Sequence, residues 1–453
     1  MILIYAEELT PRIEYIFKLM FTQILKVEVA FTSNTLEFQK SELPKINYSR
    51  DRFADEFYIK PHRLTQCKAL LTPTINSVWY EGEKYFCESS KDSILPFDPF
   101  AAAFYLVTRH EEYTEKHRDK FNRYPVQNSI LSKYKLLNKP LVNIWANLLA
   151  KLLKERYPQL DFPPQTFEFI STIDVDNAYA YQHKGFWRTS AAWAKAVFKG
   201  GMEEHKKRKK VLSGKAPDPY DTYAYLDSIF EGNEARVKFF FLLGDYGRYD
   251  KNIAHTNKEY RKLIQRTSQK YDVGIHPSFA TSKKGGKKRV KAEKQRLENI
   301  LASDVNKSRQ HFLMLKFPKT YKRLINAGIT EDYTLGYSAR TGFRGGICTP
   351  YYYYDLKHET TTNLKIVPFQ IMDGTLRHYM QLPPKKAFEE IKQVMQEVKN
   401  VGGTFVSVWH NETVNNLGHW EGYREVFEKM NKLGFEWANE TKAAVPEEMM
   451  VNG

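Results

Sequence analysis

Cysteine is nearly missing from this chain of 453 residues: Cys67, Cys87 and Cys348 are the only three. They form no CxxC pair and leave an odd thiol over, which argues against a disulfide scaffold and against a thiolate zinc site. Long hydrophobic runs are missing too. No window reaches the roughly 18 consecutive apolar residues of a membrane span. The start, MILIYAEELTPRIEYIF, places acidic residues and Arg12 where a signal peptide needs an unbroken apolar stretch. These absences predict a soluble, cytoplasmic protein. No GxGxxG follows the first strand of the later part, which weakens a dinucleotide-binding reading. Acidic residues are outnumbered, 53 against 69 Lys and Arg, for a net charge of +16. Part of the excess sits in His205–Lys210 and Lys283–Arg289. No zinc-finger spacing, RNP-like aromatic motif or basic zipper accompanies these runs, so no specific nucleic-acid partner is expected. They read as solvated faces, or as contacts to an anionic surface such as a glycan or membrane.

What is present suits a large core. At roughly 150 residues per domain the length suggests two or three domains, although a barrel can absorb about 250 residues as one. Residues 1–160 mix strand-like and helical pieces and read as a smaller α+β N-terminal domain. Ile2–Tyr5 looks like an edge strand and Pro11–Leu25 has helical spacing. Asp98 and Pro99 are a cap and a first-turn proline for a helix over Phe100–Tyr113. Asn143–Tyr157 is amphipathic, and Pro158–Pro164 reads as a break between domains.

After the break, over residues 165–445, short apolar runs alternate with charged segments of helical spacing. The expected strands are Thr166–Asp174, Val237–Leu243, Val273–His276, Val305–Leu313, Tyr333–Tyr337, Leu364–Met372 and Thr404–His410. Strand, helix, strand in repetition argues for a parallel sheet. Seven such units fit a distorted (β/α) barrel, with an open doubly wound sheet as the alternative.

In a barrel the chemistry collects at the C-terminal strand ends. The first strand delivers Asp174 and Asp176, the third His276, the fourth Arg309 and His311, the sixth Asp373 and the seventh His410. Acids, imidazoles and a guanidinium thus converge on one rim. Two carboxylates one residue apart repel unless something positive compensates. A divalent metal, zinc the expected one, held by one carboxylate and His276 would supply that charge and acidify a water from a pKa of 15.7 to about 7. The other carboxylate would serve as base, Arg309 would orient it, and His410 would protonate a leaving group. Plainer readings also exist: strand-end carboxylates, a buried hydrogen-bonded His410, a surface ion pair for Arg309. Arg344, in the glycine-rich Gly342–Gly346, is a candidate anion contact, and Tyr351–Tyr354 reads as packing before it reads as a sugar platform.

Thr172-Ile173-Asp174-Val175-Asp176, Gly274-Ile275-His276-Pro277-Ser278, Arg309 and Val408-Trp409-His410-Asn411 resemble, in order, the motifs of the polysaccharide deacetylase family. The resemblance spans roughly residues 165–445. It implies a metal-dependent esterase on a distorted seven-stranded barrel that removes acetyl groups from glycans. Residues 1–160 resemble an accessory domain that precedes such barrels in Bacteroidetes-type proteins, with no activity implied. By the resemblance Asp174 is the catalytic base, His276 the first metal histidine, Arg309 the arginine that restrains the base and His410 the general acid. The family's metal aspartate comes directly after its base. Val175 stands there, so Asp176 would substitute one step later. The family's second metal histidine comes four residues after the first, where this chain has Ala280. His311, sharing a strand face with Arg309, is the expected replacement, and His183 and His255 are more distant ones. The resulting expectation is hydrolysis of an N-acetylated sugar or glycan precursor. Two alternatives are a non-catalytic glycan- or anion-binding protein on a degenerate barrel and a metal-independent amide hydrolase.

Overall fold

In the computed structural model residues 1–68, 70, 76–184 and 202–443 are described; residues 444–445, the end of the expected barrel segment, lie outside them. Four short strands, β1 (Ile2–Tyr5), β2 (Val29–Thr32), β3 (Lys45–Asn47) and β4 (Phe57–Tyr58), form a parallel sheet in the order β2-β1-β3-β4. Parallel neighbours need crossovers. The helix Pro11–Phe17, continued by a π-helical stretch over Lys18–Ile24, connects β1 to β2, and Thr35–Lys40 connects β2 to β3. This alternation corrects the α+β expectation for the N-terminal part, whose antiparallel pairing is the hairpin β5 (Ser77–Tyr80) with β6 (Glu83–Phe86). It also corrects the edge-strand reading of Ile2–Tyr5. All four of its residues are apolar and buried, and the strand has a neighbour on each side. The cap at Asp98 is present. Its carboxylate accepts from the backbone N–H groups of Phe100 and Ala101 at 2.9 and 3.0 Å, starting the helix Pro99–Val107.

The second sheet has nine strands: β7 (Glu168–Val175), β8 (Val237–Phe241), β9 (Asp272–Ile275), β10 (Lys307–Ser308), β11 (Glu331–Asp332), β12 (Tyr351–Asp355), β13 (Thr360–Ile366), β14 (Ile371–Met372) and β15 (Thr404–His410). Their order is β12-β13-β11-β10-β9-β8-β7-β15-β14. All neighbours are parallel except β12 and β13. The sheet curls because one run serves both flanks. Val367 N–H donates to the Asp332 carbonyl and Phe369 N–H to that of Leu335, after which Gln370 N–H donates to the carbonyl of Val406 in β15. Strand alternation sorts the two faces. Phe240, Val406, Val408, Tyr333 and Phe369 fill the inside of the curl. Ile173, Phe239, Phe241 and Trp409 pack outward under helices such as Tyr423–Ala443, where the Trp409 and Phe427 rings lie 5.1 Å apart.

The sequence reading has no counterpart to β12. Three of its tyrosines, Tyr351, Tyr353 and Tyr354, are buried, and Tyr354 packs on Tyr15 and Phe104 at 4.8 and 5.3 Å, so the tyrosine run is packing. Ion pairs also join the early residues to the later sheet. Arg12 meets Glu359 at 2.6 Å. Arg344 is buried and donates to both oxygens of Glu112 at 2.9 and 2.7 Å and to the Gly336 carbonyl at 3.0 Å. That corrects its reading as an anion contact: the guanidinium is already spent on a partner 232 residues away in sequence.

Candidate metal and acid–base site

The register of β7 with β15 runs from Glu168 opposite Thr404 to Asp174 opposite His410. Asp174 also lies opposite Phe240 of β8. Since residues two apart share a face, Thr172 and Asp174 point with Phe240 into the curl. Arg309 follows β10 directly, and its N–H extends the pairing to the Ile275 carbonyl. Its guanidinium donates to Asp174 Oδ1 at 2.9 Å, to Thr172 Oγ1 at 2.5 Å and to the Tyr333 carbonyl at 3.0 Å, and it lies 4.7 Å from the Phe240 ring centroid. Arg309 and Asp174 are both buried. Burying two charges is tolerated here because each is the other's counter-ion and Nε and Nη1 are hydrogen-bonded, while the buried Nη2 has no partner among the described residues.

Asp176 lies one step past the strand end. Its Oδ1 is 3.1 Å from His276 Nε2 and its Oδ2 is 3.3 Å from His311 Nε2. Asp174 Oδ2 comes within 3.8 Å of His276 Nε2. The ligand atoms of Asp176, His276 and His311 lie within 4.8 Å of one another. Asp176 Oδ1 is buried and accepts no hydrogen bond, an unsatisfied acceptor that a cation would satisfy. The rings are oriented from behind. His276 Nδ1 is 2.6 Å from the Arg309 carbonyl and His311 Nδ1 is 2.9 Å from Asp250 Oδ1. A carbonyl only accepts, so neutral His276 carries its proton on Nδ1 and presents the Nε2 lone pair to the centre, the arrangement of metal-ligating histidines. Three protein ligands of this type fit zinc or another divalent ion that keeps an open position.

The charges of the trio depend on one another. Burial raises the Asp176 carboxyl, but the His311 charge and its hydrogen bond, with the His410 charge behind them, outweigh it and hold its pKa well below the usual carboxylate range. Burial lowers His311, while Asp176 and Asp250 reverse this and push it up to about 9.

His410, the last residue of β15, completes the rim 4.0 Å from Asp176 Oδ2. Its Nδ1 is 2.9 Å from Asp373 Oδ1, and its backbone N–H and the Thr413 hydroxyl donate to Asp373 Oδ2 at 2.9 and 2.6 Å. Burial alone would lower the His410 pKa, but Asp373, with help from Asp176 and Asp174, carries it well above its ordinary value. The folded state therefore favours the imidazolium. Its contribution to stability is fully present below the unfolded pKa of about 6.5 and is lost as pH rises through the higher folded value. Asp373→Asn removes the main cause. We expect it to lower the pH at which the His410 imidazole loses its proton, followed by NMR of the ring signals, and an unmoved titration would mean that Asp373 does not hold the charge.

Asp174, Asp176, His276, Arg309, His311 and His410 are thus brought together. His311 arrives by a different route from the expected one. β10 ends at Ser308, so His311 does not share a strand face with Arg309; it sits at the start of a 3₁₀ turn, His311–Leu313. His183 and His255 stay out of the ligand trio and line a separate cavity of about 410 Å³ with Lys184 and Asn257. At the place of the missing histidine, Ala280 donates its backbone N–H to Asp250 Oδ2 at 3.2 Å, and Phe279 donates to Oδ1 at 2.7 Å. Asp250 has no counterpart in the sequence reading. It sits in the loop after β8 without a motif, and only the folded chain puts it behind His311.

Comparisons with known proteins cover the two parts of the chain differently. A family described as "Family of unknown function (DUF7033)" matches residues 2–158. The chain matches no curated protein. Solved structures with a similar fold include a provisionally named polysaccharide deacetylase from Mycobacterium smegmatis, at 15% identity and a TM-score of 0.39, covering 63% of this chain and 93% of that one. A polysaccharide deacetylase from Bacillus cereus aligns at 13% identity and 0.29, covering 60% and 89%. A CE4 family pseudoenzyme from Bacillus anthracis aligns at 11% identity and 0.29, covering 60% and 63%.

Proposed function

We propose that this chain is a metal-dependent hydrolase that removes an acetyl group from an N-acetylated sugar or glycan precursor. The observation that carries the reading is the adjacency of three devices on one rim: the Asp174–Arg309 pair, the Asp176–His276–His311 trio and the Asp373-backed His410. In this reading the run from β13 to β14 counts as one staggered strand and the antiparallel β12 as an addition at the edge, which leaves seven strands for a distorted barrel behind an N-terminal unit that ends near residue 160.

Asp176, His276 and His311 would hold the divalent ion, zinc by donor type. Such an ion, when bound, polarises the acetyl carbonyl and acidifies a water. Asp174, held by the Arg309 guanidinium at 2.9 Å, takes a proton from the attacking water. His410, kept protonated by Asp373, gives a proton to the leaving amine nitrogen as the C–N bond breaks. Acetate and the free amine are the products. A soluble or membrane-linked precursor inside the cell suits these roles, and the exposed basic runs His205–Lys210 and Lys283–Arg289 would favour an anionic carrier.

The test is acetate release from N-acetylated oligosaccharides. We expect release to stop after chelation and to return with added zinc. Release that survives exhaustive chelation would instead favour metal-free amide hydrolysis. The departures at Val175 and Ala280 favour one second reading, a glycan-binding barrel without catalysis. A protein that binds the oligosaccharide but releases no acetate in any metal would establish it.

A further inference from the structure

His311, the ligand that stands in for the absent histidine, is carried by a turn of unusual backbone. Phe312 and Leu313 both have positive φ, 59° and 52°. Neither is glycine, and bulky residues in the left-handed region persist only when their surroundings hold them there. Part of that hold comes from the other end of the sequence. The Arg123 guanidinium donates to the Phe312 carbonyl at 3.2 Å, and the Phe121 ring packs on the Phe312 ring with centroids 5.3 Å apart. Tyr249 and Phe279 close the remaining sides of Phe312, each at 5.5 Å.

The clamp is itself preorganised. Asp119 accepts from the N–H groups of Phe121 and Arg123 at 2.9 and 2.8 Å and from Arg123 Nε at 2.8 Å. Arg123 also donates to the Tyr379 hydroxyl at 3.2 Å. Tyr379 ends the short helical stretch Thr375–Tyr379 that follows Asp373, the partner of His410. One side chain from the N-terminal part thereby ties the turn bearing His311 to the segment leading from Asp373.

We propose that Phe121 and Arg123 are positioning residues for the metal centre, so that residues 119–123 complete the ligand set of the later sheet by fixing His311. This rests on the reading of Asp176, His276 and His311 as metal ligands but not on the deacetylase activity. Supporting groups behind metal ligands are worth about 10–100-fold in affinity. In the full-length chain, Arg123→Ala and Phe121→Ala are expected to weaken zinc binding by about that factor. They should also change the visible spectrum of the cobalt-substituted protein in the direction of His311→Ala. In a His311→Ala background they should add nothing further, because the interaction they serve is already gone. Arg12→Ala, which removes a partly buried ion pair with Glu359 between the same two parts, should lower the melting temperature and leave zinc affinity unchanged. In metal-free protein, Arg123→Ala should speed hydrogen exchange at His311 N–H, which donates to the Pro277 carbonyl at 3.0 Å, and Arg12→Ala should not. Wild-type zinc affinity and cobalt spectrum in both clamp variants would overturn the proposal. So would equal losses in the His311→Ala background, or unchanged exchange at His311. A protein that binds zinc with this dependence and yet releases no acetate would overturn the deacetylase reading alone.

Discussion

Asp174→Asn is expected to lower kcat/KM for acetate release by about 10²–10⁴-fold, the range for loss of a positioned general base. The amide keeps the shape of the side chain and its contact with Arg309, but it cannot take a proton from water. Metal content should stay at the wild-type level. Asp174 is not among the three residues that share the candidate centre, and its Oδ2 lies 3.8 Å from His276 Nε2. The two readouts therefore separate base from ligand. Asp176→Asn should lose metal and activity together, whereas Asp174→Asn should lose activity alone. Asp174→Asn with near wild-type kcat/KM would remove the proton-transfer role from this residue, and loss of metal would make it a ligand.

Arg309→Met is expected to have the largest effect on stability, about 3–5 kcal/mol, the cost of stranding one partner of a buried ion pair. The guanidinium is buried between Phe240, Tyr333 and Phe369, and it is the cation within ion-pair distance of Asp174 Oδ1. Methionine fills much of the same space without charge and leaves the buried Asp174 carboxylate without its guanidinium partner. Adding Asp174→Asn should recover part of the loss, because the double variant no longer buries a lone charge. Urea unfolding of the four species measures this. Additive losses, with no recovery in the double variant, would mean that the pair does not act as a unit. An Arg309→Met protein as stable as wild type would mean that burial of the pair costs as much as it returns.

Much of the site was legible because its residues fall at strand ends. An apolar run that stops on an acid or imidazole is visible locally, and Asp174, His276 and His410 each close such a run. The order of the runs then implies that they meet. Arg309 was legible from its place on the fourth expected strand, and the resemblance then gave it the same role, although that strand is cut to two residues. Asp250 and the clamp at Phe121 and Arg123 were not legible. Each acts across a gap of dozens to nearly two hundred residues, and nothing in its own neighbourhood marks it. Arg344 misled for the converse reason. Its glycine-rich surroundings suit an anion loop, but Glu112 had already claimed the guanidinium from a distant helix.

Boundaries failed where tertiary contacts decide them. The expected strand Val305–Leu313 is cut to Lys307–Ser308 because the chain must turn early to bring His311 back to Asp176. Ile2–Tyr5 looks like an edge strand in the sequence, yet pairing partners come from later segments on both sides. The π-helical continuation at Lys18–Ile24 has the same apolar spacing as an ordinary helix and leaves no separate mark in the sequence.

The central claim is that far-separated acidic and imidazole groups form one metal centre, and its most direct test is anomalous diffraction at the zinc edge from crystals of the wild-type protein grown with zinc. The account predicts a single strong anomalous peak bounded by Asp176, His276 and His311, with Asp174 and His410 flanking the open side, and no peak there in His311→Ala crystals. A peak elsewhere, or an empty site at saturating zinc, would contradict it.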